Sequence, residues 1–86
     1  MVTTVVNIKK DYYDLFIGRG SIWGNPFKIG RDGTRKEVIE SYRIYIMNRP
    51  ELLSRLHELK GRRLGCYCKP LPCHGDVLAE LADRSV

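Results

Sequence analysis

Val2-Thr3-Thr4-Val5-Val6-Asn7-Ile8 is a run of β-branched residues without a helical repeat, and it predicts a strand. Tyr12 to Ile17 predicts a second, shorter one. The rhythm then stops. Residues 18–33 hold five glycines and one proline in sixteen positions, a loop of the length that usually carries function in a compact domain. From Thr34 the spacing becomes helical. Thr34-Arg35-Lys36-Glu37 matches a capping box, in which the threonine hydroxyl accepts from the amide three residues on while the glutamate reaches back. Val38, Ile39, Tyr42, Tyr45 and Ile46 form one apolar stripe behind it. Asn48 and Pro50 open another helix, lined by Leu52, Leu53, Leu56 and Leu59 and closed by Gly61. Arg62 to Cys68 again predicts a strand, and Pro70 and Pro72 forbid regular structure beyond it. A last helix starts at about His74 and turns Val77, Leu78 and Leu81 inward.

This order makes residues 1–86 a single α/β domain. The expected fold is a minimal sandwich: a small, mostly parallel sheet of two to four strands with about three helices. A strand that returns through helices to another strand favours parallel pairing and a right-handed crossover. Ligands of such sheets sit beyond the carboxyl ends of the strands. Here those ends are Asn7 to Lys9 and Cys68 to His74, and the glycine-rich loop has to lie close by.

Composition narrows the class. An apolar fraction of 43% and a charged fraction of 29% belong to an ordinary globular chain. No apolar run approaches the roughly 20 residues that span a membrane. The first ten residues lack the basic-then-apolar layout of a signal peptide. Three cysteines within positions 66–73 do not make a disulfide framework, so a reduced, cytoplasmic protein is expected. The net charge of +5 suits a polyanionic partner. Its cations are dispersed rather than run together, which puts nucleotide phosphate ahead of duplex nucleic acid.

All the cysteines lie in Gly65-Cys66-Tyr67-Cys68-Lys69-Pro70-Leu71-Pro72-Cys73-His74-Gly75-Asp76, and three readings of it stay open. A metal reading takes Cys66, Cys68, Cys73 and His74 as a three-thiolate, one-imidazole zinc set, although the usual ligand spacing is wider. A thiol reading makes Cys73 a nucleophile, its thiolate favoured by a helix N-terminus, with His74 or His57 as base and Asp76 orienting it. A core reading treats Cys66 and Cys68 as small buried hydrophobes and Asp76 as a first-turn charge.

In Gly18-Arg19-Gly20-Ser21-Ile22-Trp23-Gly24-Asn25-Pro26-Phe27, glycines let backbone amides approach a phosphate and Arg19 adds a bidentate donor. Trp23 offers a face for stacking on a base. The candidate ligand-binding residues are therefore Arg19, Gly20, Ser21, Trp23 and Asn25, joined at the strand ends by Asn7 and Cys68. The competing reading has Trp23, Pro26 and Phe27 plugging the core and Asn25 setting a turn. Gly30 to Arg35 leads into a helix N-terminus, which is itself suited to an anion.

The early VVN strand, GRGSIWGNPFKIGRDGTR, EVIESYRIYI and LGCYCKPLPCHGDVLAEL together resemble the small phage and bacterial proteins of domain of unknown function 4326, over nearly the full length. The tail is also similar to domain of unknown function 488, where the position matching Cys68 is commonly acidic. The resemblance implies a compact α/β domain with a site around Cys66, Cys73 and His74, residence in the host cytoplasm if the chain is phage-encoded, and no established activity. Three functions follow as expectations. The first is binding of a nucleotide or nucleic-acid anion, with transfer or hydrolysis at a nucleoside as the chemistry. The second is a zinc-stabilised module. The third is an effector that docks on a host protein through Tyr12, Tyr13 or Trp23. No residue demands an oligomer.

Overall fold

The computed structural model describes residues 2–84. Residues 1, 85 and 86, the ends of the expected domain, lie outside the described residues. Three strands and three helices follow the order of the hydrophobic pattern: β1 (Thr4–Asn7), β2 (Leu15–Phe16), α1 (Arg35–Met47), α2 (Pro50–Leu53), β3 (Arg63–Cys66) and α3 (His74–Arg84). The sheet order is β1-β3-β2, and both pairings are parallel. The small α/β architecture expected from the pattern is the one formed. The last strand in sequence is therefore the middle one, with Val5 and Leu15 both opposite Leu64.

The capping box closes on both sides. Glu37 N–H donates to Thr34 Oγ1 at 3.2 Å, and Thr34 N–H donates to Glu37 Oε1 at 2.8 Å. The next helix departs from expectation. One turn, Pro50–Leu53, is followed by a separate 3-10 turn at Leu56–Glu58. Ser54 explains the break: its hydroxyl donates to the Glu51 carbonyl at 3.0 Å, a local bond that competes with helix continuation. Leu52, Leu56 and Leu59 are nonetheless all buried, so the core accepts the segment without a continuous helix.

Alternation along β3 divides its side chains between the two faces of the sheet. Leu64 and Cys66 point into the core, while Gly65 faces the other side. A Cβ on Gly65 would lie 2.6 Å from Ile8 Cγ2 and 2.8 Å from Tyr13 Cγ, so only glycine lets those side chains close that face. α3 packs on α1, β1 and β3. Its start is equally tight, since a Cβ on Gly75 would lie 2.7 Å from Ile17 Cδ1 and 2.9 Å from Val5 Cγ1. These close approaches bring the N-terminus of α3 directly against the carboxyl end of the sheet. Among the described residues no helix is long and apolar enough to cross a membrane.

Candidate functional site

β3 ends at Cys66, and the chain leaves it in an elbow, 67–73, that leads into α3. Asn7, paired with Cys66 in the sheet register, holds this elbow from β1. Its Nδ2 donates to the Lys69 carbonyl at 2.8 Å and to the Tyr67 carbonyl at 3.3 Å. Lys69 Nζ meets Asp76 Oδ1 at 2.5 Å, and Cys73 N–H donates to Asp76 Oδ2 at 3.1 Å. Arg35, in the first turn of α1, donates to the Pro72 carbonyl at 3.0 Å. Three elements, β1, α1 and α3, thus fix the elbow in place.

Between the elbow, the glycine-rich loop and the start of α1 lies an open cleft of about 490 Å³. The loop contributes Gly18, Arg19, Asn25, Phe27, Lys28 and Ile29 to its wall. α1 contributes Arg35, Val38 and Ile39, and the strand end and elbow contribute Cys66, Tyr67, Cys68, Pro72, Cys73 and His74. Three of these residues are cationic and none is a carboxylate. The guanidinium of Arg19 makes no ion pair or hydrogen bond among the described residues. By contrast, Arg31 is occupied within its own loop by Asp32 and the Pro26 carbonyl.

His74 Nε2 lies 2.8 Å from the Ile17 carbonyl. A carbonyl only accepts, so Nε2 carries the proton and, in the neutral ring, Nδ1 is an acceptor. Burial holds the imidazole below its usual pKa, against the raising effects of the Ile17 bond and Asp76. Among the described residues Nδ1 makes no hydrogen bond, and His74 borders the cleft. The Tyr42 and imidazole rings form a T-shaped pair with centroids 4.9 Å apart, and the Tyr42 hydroxyl donates to the Trp23 carbonyl at 2.7 Å.

Cys66 and Cys73 are both buried, and their sulfurs are 3.3 Å apart. Burial pushes the Cys73 thiol up to about 12, reinforced by the neighbouring Cys66. Burial thus opposes the thiolate expected at the helix mouth. Helix-terminal stabilisation is a matter of about 0.3–1 kcal/mol at exposed sites, and here desolvation outweighs it.

Other candidates fall into different places. Arg19, Asn25 and Cys68 line the cleft, whereas Asn7, Gly20, Ser21, Trp23 and Asp76 do not. Asn7 and Asp76 position the elbow. Ser21 Oγ donates to the Gly18 carbonyl at 2.8 Å and shapes the loop. The stacking role expected of Trp23 is corrected, because it is 3% exposed and part of the core. Asn25 has both ends of its amide engaged, by the Val38 carbonyl and the Phe27 amide. The zinc set is also not assembled: among the described residues no group of three or more His, Cys, Asp or Glu side chains converges as a metal requires. Tyr12 is largely exposed, and Tyr13 is spent partly on covering Gly65. Sequence reasoning missed Lys28, Tyr67 and the wall of α1. The one available signal was Arg35 at the start of a helix behind a glycine-rich loop.

Two relatives of the chain are viral proteins. It is 41% identical over 85 residues to an uncharacterized 12.4 kDa protein in the nrdA-td intergenic region of Enterobacteria phage T4, covering 93% of this chain and 77% of that one. It is 35% identical over 86 residues to an uncharacterized protein of Acanthamoeba polyphaga mimivirus, covering 79% of this chain and 65% of that protein. No solved structure matches it. Residues 5–84 match the family described as Domain of unknown function (DUF4326), and the chain belongs to that family.

Proposed function

We propose that the cleft binds a small anionic ligand of the nucleotide class. One observation carries this reading: a concave wall at the carboxyl end of β3 combines three cations with no carboxylate. A volume of about 490 Å³ suits a mononucleotide rather than a polymer, since ligand clefts of about 300–1,000 Å³ take molecules of that size. Arg19 clamps the phosphate, with Lys28 and Arg35 beside it. Phe27, Ile39 and Tyr67 offer apolar and aromatic surface to the base and sugar.

Chemistry at the bound ligand falls to His74 before Cys73. His74 Nδ1 is an unbonded acceptor able to take a proton, whereas Cys73 rests as a neutral thiol. Transfer or hydrolysis at the nucleoside needs such a group, and Cys73 enters as nucleophile only after losing its proton.

The test is calorimetric titration of the protein with a panel of ribo- and deoxyribonucleoside monophosphates. Saturable binding of at least one is expected, and Arg19→Ala should weaken it roughly ten- to hundredfold with an unchanged melting temperature, the loss of one charge-assisted contact. A single-stranded oligonucleotide should compete poorly. Absence of saturable binding across the panel, or full affinity in Arg19→Ala, removes the proposal.

A further inference from the structure

We infer that Cys66 and Cys73 form a redox-active dithiol, converted to an intramolecular disulfide by a low-molecular-weight disulfide that enters the cleft. Their sulfurs are 3.3 Å apart, and bonding requires closure to about 2.05 Å. Both residues border the cleft, and being 1% and 2% exposed they meet a small reagent only when the elbow opens locally.

The two residues sit on opposite sides of a fixed elbow. Cys66 ends β3, and Cys73 immediately precedes α3. Asn7, Asp76 and Arg35 hold the intervening chain by the bonds described above. The pair is therefore preorganised by the same contacts that shape the cleft, and it stands independently of what ligand the cleft takes. Cys68 lines the same wall, but only the Cys66–Cys73 pair is in sulfur–sulfur contact.

The exchange balances without any further reagent. One thiol of the pair, once deprotonated, attacks a sulfur of the small disulfide RSSR; its S–S bond breaks and RS⁻ leaves and is protonated. The second protein thiol, deprotonated in turn, attacks the protein sulfur of this mixed disulfide and expels the second RS⁻, which takes up the second proton. Two protein thiols are oxidised by two electrons, and one small disulfide is reduced to two thiols.

The experiment exposes the reduced, folded chain to excess glutathione disulfide at pH 8, quenches with a thiol alkylator and reads intact mass and peptide maps. The expected product has lost two hydrogens, carries no glutathione and retains one alkylatable thiol, on Cys68. Cleavage after Tyr67 separates Cys66 from the other two, and the mapped bridge should join Cys66 to Cys73. Cys68→Ser should still form the bridge, and Cys73→Ser should not. Three alkylatable thiols after exposure, a persistent glutathione adduct, or a bridge containing Cys68 would each overturn the inference. The peptide map is made on the unsubstituted chain, so the outcome does not depend on any variant folding. Nucleotide titration of the reduced protein reads the ligand proposal separately.

Discussion

At His74 one hydrogen bond decides what the ring can offer. Because Nε2 donates to the Ile17 carbonyl, the unbonded nitrogen is Nδ1, and protonating it places a charge among buried groups. The folded-state pKa therefore lies below the ordinary 6.5, and the unfolded chain binds the proton more readily. Stability is fully present above pH 6.5 and falls as pH drops from there through the folded value. The carboxylates whose shifts stabilise the fold titrate lower, starting from ordinary values of 3.8 and 4.5, which leaves the window just below 6.5 to His74. Urea midpoints measured from pH 7.5 down to 5.5 should decline, and His74→Gln, which keeps a donor toward Ile17 but cannot titrate, should flatten the curve. An unchanged slope in that variant would assign the decline elsewhere.

At the scale of elements, the approach of α3 to the sheet positions both the imidazole and the Cys73 thiol. That approach depends on Gly75, where an added methyl would meet Ile17 Cδ1, Val5 Cγ1 and, at 3.2 Å, the Cys73 sulfur. Alanine is the better helix former by up to about 1 kcal/mol, but overpacking a fitted core costs about 1–3 kcal/mol. Gly75→Ala should therefore be net destabilising by about 1–2 kcal/mol, seen as a lower urea midpoint. It should also weaken nucleotide binding, because a shift of the helix start displaces Cys73 and His74 in the cleft wall. The broken second helix shows the opposite balance. There Ser54 diverts the backbone locally, and the leucines reach the core regardless.

The whole molecule is closed by a side chain near its beginning. Thr3 is buried, and its hydroxyl donates to Asp83 Oδ1 at 2.7 Å while accepting from Gly61 N–H at 2.9 Å. The Thr3 amide donates to both oxygens of the same carboxylate. The entry to β1, the turn before β3 and the last turn of α3 are tied together through one residue. Thr3→Val keeps the shape and the amide bonds but leaves the Gly61 donor without its partner. Its expected cost is about 1–3 kcal/mol by urea titration, with an unchanged denaturant slope. By comparison, the Arg43–Glu80 pair between α1 and α3 has both side chains more than a third exposed, so screening leaves it little weight.

Features built from residues three or four apart, or alternating along a strand, were legible in the chain itself. The Thr34–Glu37 cap, the stripe of α1, the start of α3 at His74, the parallel α/β class and the glycine-rich loop all belong here. Each depends on local geometry that the order of residues already specifies. Contacts between distant segments were not legible, because no periodicity relates their members. Thr3 meets Asp83, Asn7 holds Lys69, His74 takes the Ile17 carbonyl, and Trp23 turns into the core. The nature of the sulfur-rich elbow was likewise decided in three dimensions. A helix mouth alone favours a thiolate, but packing α3 onto the sheet removes Cys73 from water and sets it against Cys66, so desolvation governs the thiol.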